Sequence, residues 1–242
     1  MRITLAVLMG LGSAQAAQAG CRLALVLALD VSASVDAEEY RLQQQGTAAA
    51  LMSEPVQRAL FGFGDTVAIA AFDWSGPLDQ TLIADWQIID SPAALDALAA
   101  TIAGHPRSPA VSRRTATGSA LLYAADLLAR QPGCDRKVVD IATDGTFNAG
   151  PAPEMVRHLP VFLDTTINAL AVAGSRVPDW RDVKEAESAL QVYLTHRVIH
   201  GPGAFVERAA DYRDFERAMG RKLERELQGI MIGAVEGGGE SG

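Results

Sequence analysis

The chain has 242 residues, of which 49% are hydrophobic and 21% charged, the make-up of a globular protein able to bury one sizeable core. Its formal net charge of −8 counts against nucleic acid as a partner. No repeat, heptad pattern or linker divides the sequence, so a single domain is expected.

The amino terminus reads differently from the rest. Arg2 precedes an apolar run from Ile3 to Leu11, and small residues from Ala14 to Ala19 give cleavage spacing, so residues 1–20 read as a secretory signal peptide. That run is shorter than the roughly 20 residues that span a bilayer, and no later stretch is long and uncharged enough to do so. The mature chain is therefore expected to be exported, periplasmic or secreted, with no transmembrane segment. Ala19-Gly20-Cys21 partly matches a lipoprotein processing site, but Gln18 stands where an aliphatic residue is wanted, so lipid anchoring at Cys21 is the lesser reading.

Arg22 to Leu29 is a nearly continuous apolar run ending in Asp30, as in a parallel strand buried on both faces. Asp36 and Glu39 have capping-box spacing at the head of a helix through Met52. Thr66 to Phe72 predicts a second strand, followed by weaker extended pieces at Thr81 to Ile83 and Trp86 to Ile89. Ser91-Pro92 then opens a helix. Residues 104–116 read as a loop whose arginines, Arg107, Arg113 and Arg114, form a solvated cluster, and Thr117 or Gly118 starts a helix to about Arg130. Val138 to Thr143 is the next buried strand, left through Asp144-Gly145. A helix over Glu154 to Leu163, ended or interrupted near Pro160, precedes a strand from Ile167 to Val172. A helix from Val183 to Thr195, a short strand from Ala204 to Glu207 and a last helix from Asp211 to about Ile232 follow. That last helix carries Phe215, Met219, Leu223 and Leu227 on one stripe. The domain thus spans residues 21–232, and the Gly-rich tail, 233–242, is expected to be disordered.

Strands alternating with helices predict an α/β protein with a doubly wound, mostly parallel sheet and helices on both faces. In such folds ligands bind beyond the carboxyl ends of the strands, where the winding reverses. Asp30 and Asp144 both end strands. If those strands flank the reversal, the two carboxylates meet there. Cys21 lies nine residues before Asp30 and Cys134 ten before Asp144, so the same neighbouring relation brings the two sulfurs together at the opposite edge. In an oxidising compartment a Cys21 to Cys134 disulfide is expected, with two buried free thiols as the alternative.

Asp30-Val31-Ser32-Ala33-Ser34 places a carboxylate and two hydroxyls at alternating positions, on one side of an extended turn. Such hard oxygen donors suit Mg²⁺ or Mn²⁺ better than Zn²⁺. Of the histidines at 105, 158, 196 and 200, only His196 and His200 share an element at ligand spacing, and they read as a surface pair.

Asp-x-Ser-x-Ser after the first strand, Arg-Thr-Ala-Thr-Gly-Ser-Ala-Leu from Arg114 to Leu121, and Thr-Asp-Gly from Thr143 to Gly145 together resemble the metal-ion-dependent adhesion site of von Willebrand factor A-type and integrin inserted domains. The resemblance spans residues 22 to about 230 and is strongest to exported bacterial members whose function is not established. It implies that Ser32 and Ser34 hold one divalent cation directly, that Asp30 and Asp144 contact it directly or through water, and that Thr115 supplies a loop hydroxyl, with Thr117 as the alternative. Arg114 departs from the glycine many members have. The resemblance further implies a protein partner that offers a Glu or Asp carboxylate to the metal, and no enzymatic activity. It also makes the last helix the candidate mover.

Two other classes remain. A periplasmic Mg²⁺-dependent hydrolase would use the same carboxylates to activate water, and a degenerate module would bind no metal. The sequence lacks a Gly-x-Ser-x-Gly elbow, and Ser32 stands where a haloacid dehalogenase phosphotransferase needs its second aspartate. Gly62-Phe63-Gly64 precedes a strand, so it does not make a dinucleotide loop.

Overall fold

A computed structural model describes residues 20–108, 112–173 and 189–228. The strands are β1 (Cys21–Asp30), β2 (Thr66–Trp74), β3 (Gln80–Ile89), β4 (Arg136–Thr143), β5 (Thr165–Val172) and β6 (Val206–Ala209). The helices are α1 (Ala37–Met52), α2 (Glu54–Phe61), α3 (Pro92–Ala103), α4 (Thr117–Leu128), the single turn α5 (Pro153–Val156) and α6 (Phe215–Gln228).

The strands form one sheet in the order β3-β2-β1-β4-β5-β6, parallel throughout except for the antiparallel edge strand β3. Alternate residues of the central strand serve opposite layers. Leu23, Leu25, Leu27 and Leu29 pack with α1, α2, α3 and α6, while Val26 and Ala28 pack with α4 and the segments around Val156, Phe162 and Leu194. β1 is buried on both sides, which is why its sequence is apolar without alternation. This is the doubly wound architecture expected from the sequence.

The chain lays down β1, β2 and β3 in one direction, then returns past β1 to begin β4 on its other side. The winding therefore reverses between β1 and β4. Asp30 and Thr143 end the two strands that flank the reversal. At the other end of the same strands Cys21 and Cys134 form a disulfide, with Cα atoms 4.4 Å apart.

The lower end of the fold is tied by buried charge. Arg22 donates to the carbonyl oxygens of Leu227 (2.9 Å) and Ala59 (2.6 Å), bringing a cation to the carboxyl-terminal ends of α6 and α2. Lys222 of α6 sits between Asp140 of β4 (2.6 Å) and Glu226 (2.5 Å), and Asn168 of β5 donates to the same Glu226 oxygen at 2.7 Å.

Several elements differ from the sequence expectation. Asp36 caps α1 in a complete capping box with Glu39, as read, but α2 was not anticipated, because Ser53 ends α1 and Glu54-Pro55 restarts a helix at once. The two weak extended pieces are one ten-residue strand, β3, whose hydrogen bonds to β2 carry it through the irregularities near Ala71. The helix over 154–163 is only the turn α5 and a 3₁₀ turn at Pro160–Phe162, since Pro160 cannot continue an α-helix. The helix over 183–195 falls partly outside the described residues. Its described part, 189–193, runs into a π-helical turn at Leu194–Val198. β6 begins at Val206 rather than Ala204, and α6 starts at Phe215 because Asp211 binds the amides of Arg213 and Asp214 in a turn. Arg107 is not part of a solvated cluster: it is half-buried and donates to the Val35 carbonyl, whereas Arg113 and Arg114 are exposed. The signal peptide expected at residues 1–20 and the tail expected at 233–242 lie outside the described residues but for Gly20.

Candidate metal centre

Three loops meet above the gap between β1 and β4. The first leaves β1 at Asp30, whose side chain is fully buried. The Val31 amide donates to the Trp74 carbonyl (2.8 Å), which turns the chain so that the Ser32 amide donates to Asp30 Oδ1 at 2.8 Å. Asp30 Oδ2 accepts the hydroxyl of Thr143 at 2.5 Å. Ser32 Oγ and Ser34 Oγ are 3.0 Å apart, and Ser34 Oγ donates to Asp144 Oδ1 at 2.7 Å. The alternating serines thus point the same way, toward the aspartate that follows β4.

The second loop carries Thr115. Its amide donates to Asn148 Oδ1 (3.0 Å), and its carbonyl accepts the Asn148 amide (3.0 Å), so the second and third loops are fastened to each other. A β-carbon on Gly145 would stand 3.4 Å from Thr115 Oγ1, which places the Thr115 hydroxyl against the residue after Asp144. Thr117 instead begins α4, is fully buried and lies beside Tyr193. Gly118 has no room for a side chain, since a β-carbon would fall 2.0 Å from the Pro151 carbonyl oxygen, so the start of α4 is pressed onto the third loop. The first loop is tied to the second by the Ala33 amide, which donates to the Ser112 carbonyl at 3.1 Å.

Burial, and then the neighbouring charge of Asp144, push the Asp30 carboxyl up to about 7, while the hydrogen bonds from Thr143 and Ser32 pull the other way. The partly buried Asp144 thus sets a second carboxylate close to one that is fully buried. Tyr212, on the turn before α6, is 2% exposed, its hydroxyl has no hydrogen-bond partner among the described residues, and burial and the charges of Asp144 and Asp30 hold its pKa well above the usual value.

The structure therefore brings Asp30, Ser32, Ser34 and Asp144 into one hydrogen-bonded group with Thr115 at its edge. Thr143, Asn148 and Tyr212 join the site beyond the five residues that the sequence points to. Thr143 lies inside the Thr-Asp-Gly motif and was legible there, but nothing local marks Tyr212. Among the described residues no group of three His, Cys, Asp or Glu side chains is placed to hold a metal, so a cation at this site depends on the hydroxyls. The donor set fits a hard cation, since every candidate ligand is an oxygen. The histidines are elsewhere: the ring of His200 meets His158 edge-on at 5.3 Å between centroids, rather than His196.

The sheet order, the reversal between β1 and β4 and the loops that converge on it define a von Willebrand factor A-type fold. The fold is similar to that of proximal thread matrix protein 1 from the mussel byssus, in a structure with a zinc-occupied MIDAS motif (15% identity, TM-score 0.55, 87% of this chain and 48% of that one). It is also similar to a von Willebrand factor type A protein from Catenulispora acidiphila (13% identity, TM-score 0.55, 86% and 43%) and to the pilus adhesin SpaC from Lactobacillus rhamnosus GG (12% identity, TM-score 0.51, 87% and 31%). The chain spans less than half the length of each. No curated protein sequence matches it. The chain belongs to the family described as protein of unknown function DUF1194, whose model matches residues 20–231.

Proposed function

We propose that the chain is an exported, adhesion-type protein-binding module, cleaved after a signal peptide at residues 1–20, that holds one Mg²⁺ or Mn²⁺ ion. The ligands are Asp30, Ser32, Ser34, Thr115 and Asp144, and the ion captures a Glu or Asp carboxylate of a partner protein. The observation that carries the reading is the joining of Ser34 to Asp144 and of Thr143 to Asp30, which draws side chains of the first and third loops into one all-oxygen cluster. A divalent cation there offsets the repulsion that raises the Asp30 carboxyl. The position of Thr115 Oγ1 against Gly145 favours it over Thr117 as the loop ligand. The zinc-occupied motif in the mussel protein supports a divalent ion on this fold.

When bound, the ion supplies an electrophilic position for an incoming carboxylate. The residues orient the ligands around that position: the Ser32 amide and Thr143 fix one aspartate, Ser34 aligns the other, and Asn148 holds the loop that bears Thr115.

Calorimetric titration with Mn²⁺ and Mg²⁺ should give one equivalent bound, lost in Asp144→Ala while the far-ultraviolet spectrum is kept. Absence of binding by either ion at millimolar concentration would remove the basis of the reading. Capture of a partner from envelope extract should be abolished by chelator, and turnover of phosphoesters by the purified protein would replace the binding module with a hydrolase.

A further inference from the structure

At the end of the sheet opposite the three loops, the beginnings of β4 and β5 and the last turns of α6 border a cavity of about 860 Å³. Its walls are unusual for an acidic protein, because Arg136, Arg221 and Arg225 all reach it. Most of the charge around it is already matched. Arg221 donates to Glu207 (2.6 Å), Glu224 accepts from Gln228 (3.0 Å), and Glu226 is held by Lys222 and Asn168.

Arg136 and Arg225 are different. Among the described residues the half-buried Arg136 guanidinium reaches only the carbonyl oxygen of Glu226, at 3.4 and 3.5 Å, which is long for charged donors. Arg225 has no hydrogen bond or ion pair among the described residues; its guanidinium carbon lies 3.8 Å from the centre of the Phe205 ring. Stacking of this kind uses the face of the guanidinium and leaves its N–H donors, which lie in its plane, free. Burial holds one cation and an aromatic face holds the other, so both keep unspent donors without the entropy of a loose side chain. Phe205 and Phe63 supply apolar wall beside them.

We propose that this cavity binds a small oxyanion carried on an apolar body, an organic carboxylate or a phosphate monoester, with Arg136 and Arg225 meeting the oxyanion and Phe205 and Phe63 offering apolar wall beside them to the body. The volume is that of a small-molecule site. Eight residues of β5 at about 3.3 Å each put it roughly 25 Å from the metal centre, so it does not depend on a metal being bound there.

Phenyl phosphate and benzoate test it, with inorganic phosphate as the control, read by thermal unfolding and by saturation-transfer NMR of the full mature chain. At least one of the aromatic anions should bind at least about tenfold more tightly than inorganic phosphate and lose about tenfold in R225Q, an exposed position whose replacement spares the core. R136Q should lose a similar factor, and Asp144→Ala should lose none. Whichever probe binds more tightly identifies the oxyanion. Failure of both at millimolar concentration, equal binding of inorganic phosphate, or affinity unchanged in both arginine variants overturns the proposal.

Discussion

Thr143 ends β4 and Asp30 ends β1, and the hydroxyl of the first donates to the carboxylate of the second at 2.5 Å across the gap where the sheet changes direction. The contact spans 113 residues of sequence. It closes one side of the candidate metal centre and favours the ionised form of a carboxyl that burial and Asp144 push toward protonation.

Thr143→Val keeps the shape of the side chain and removes the donor. Under the proposed function, Mn²⁺ affinity should fall roughly 10- to 100-fold, as when a partner that orients a ligand is lost. Stability in metal-free buffer should fall by about 1–3 kcal/mol, because a buried acceptor goes unmatched. Calorimetry and urea denaturation measure the two effects. Unchanged Mn²⁺ affinity would mean that Asp30 takes no part in holding the ion.

Much of this was legible in local sequence. The unbroken apolar run before Asp30 reported a strand covered on both faces, and Asp-x-Ser-x-Ser reported three oxygens on one side of a turn. The pairing of Asp30 with Asp144, and of Cys21 with Cys134, followed from a single assumption about neighbouring strands, which the order β2-β1-β4 satisfies. What was not legible depends on tertiary contact. β3 owes its length to pairing with β2 and not to its own pattern, and α2 is hidden because a serine and a proline look like a stop. Tyr212 approaches Asp144 only because α6 packs back over the sheet, and no periodicity encodes that. Arg107 sits in a polar loop by composition, yet its hydrogen bond to Val35 makes it part of the support of the first loop.

The disulfide joins the starts of two neighbouring strands and closes a loop with a sequence separation of 113 residues. By restricting the unfolded chain, such a link contributes about 2–5 kcal/mol. The Cys21→Ser, Cys134→Ser double variant should shift the urea midpoint accordingly, and reductant should do the same to the parent but nothing to the variant. A sulfur in this bond cannot also carry a thioether lipid. If the chain is exported as proposed, the mature protein should therefore have the mass of its polypeptide less two hydrogens, and a diacylglyceryl mass increment would refute the pairing in the cell.

Asp73, at the end of β2, accepts hydrogen bonds from Tyr40 (2.9 Å) and Gln44 (3.0 Å), with His105 Nε2 3.8 Å away and the positive charge of Arg107 near. Burial outweighs these and pushes its carboxyl up to about 7. The folded state then binds a proton more tightly than the unfolded chain. The resulting stability is full below about pH 3.8 and is lost as pH rises through about 7, a change of up to roughly 4 kcal/mol. In Asp73→Asn the unfolding free energy should fall less between pH 5 and pH 8 than in the parent, by about 1–3 kcal/mol. Parallel pH profiles for the two proteins would show that Asp73 is ionised throughout.

Lys222 has no exposure to solvent and faces two buried carboxylates, Asp140 at 2.6 Å and Glu226 at 2.5 Å. Its net worth against a well-packed apolar group is small, because three charges were desolvated to assemble it. Its removal alone is another matter. Lys222→Met leaves Asp140 and Glu226 facing each other without the cation that lay between them, and a cost of about 3–5 kcal/mol is expected in urea denaturation at pH 7.5. Asp140 is already pushed up to about 7, by burial first, so a proton is the next best neutraliser and the loss should shrink as pH is lowered toward 5. Asp140→Asn placed on top of Lys222→Met should recover part of the loss, since it removes one of the two stranded charges, and the departure from additivity measures their coupling. A loss under about 1 kcal/mol at pH 7.5, or no recovery in the double variant, would show that water or another side chain already serves these carboxylates.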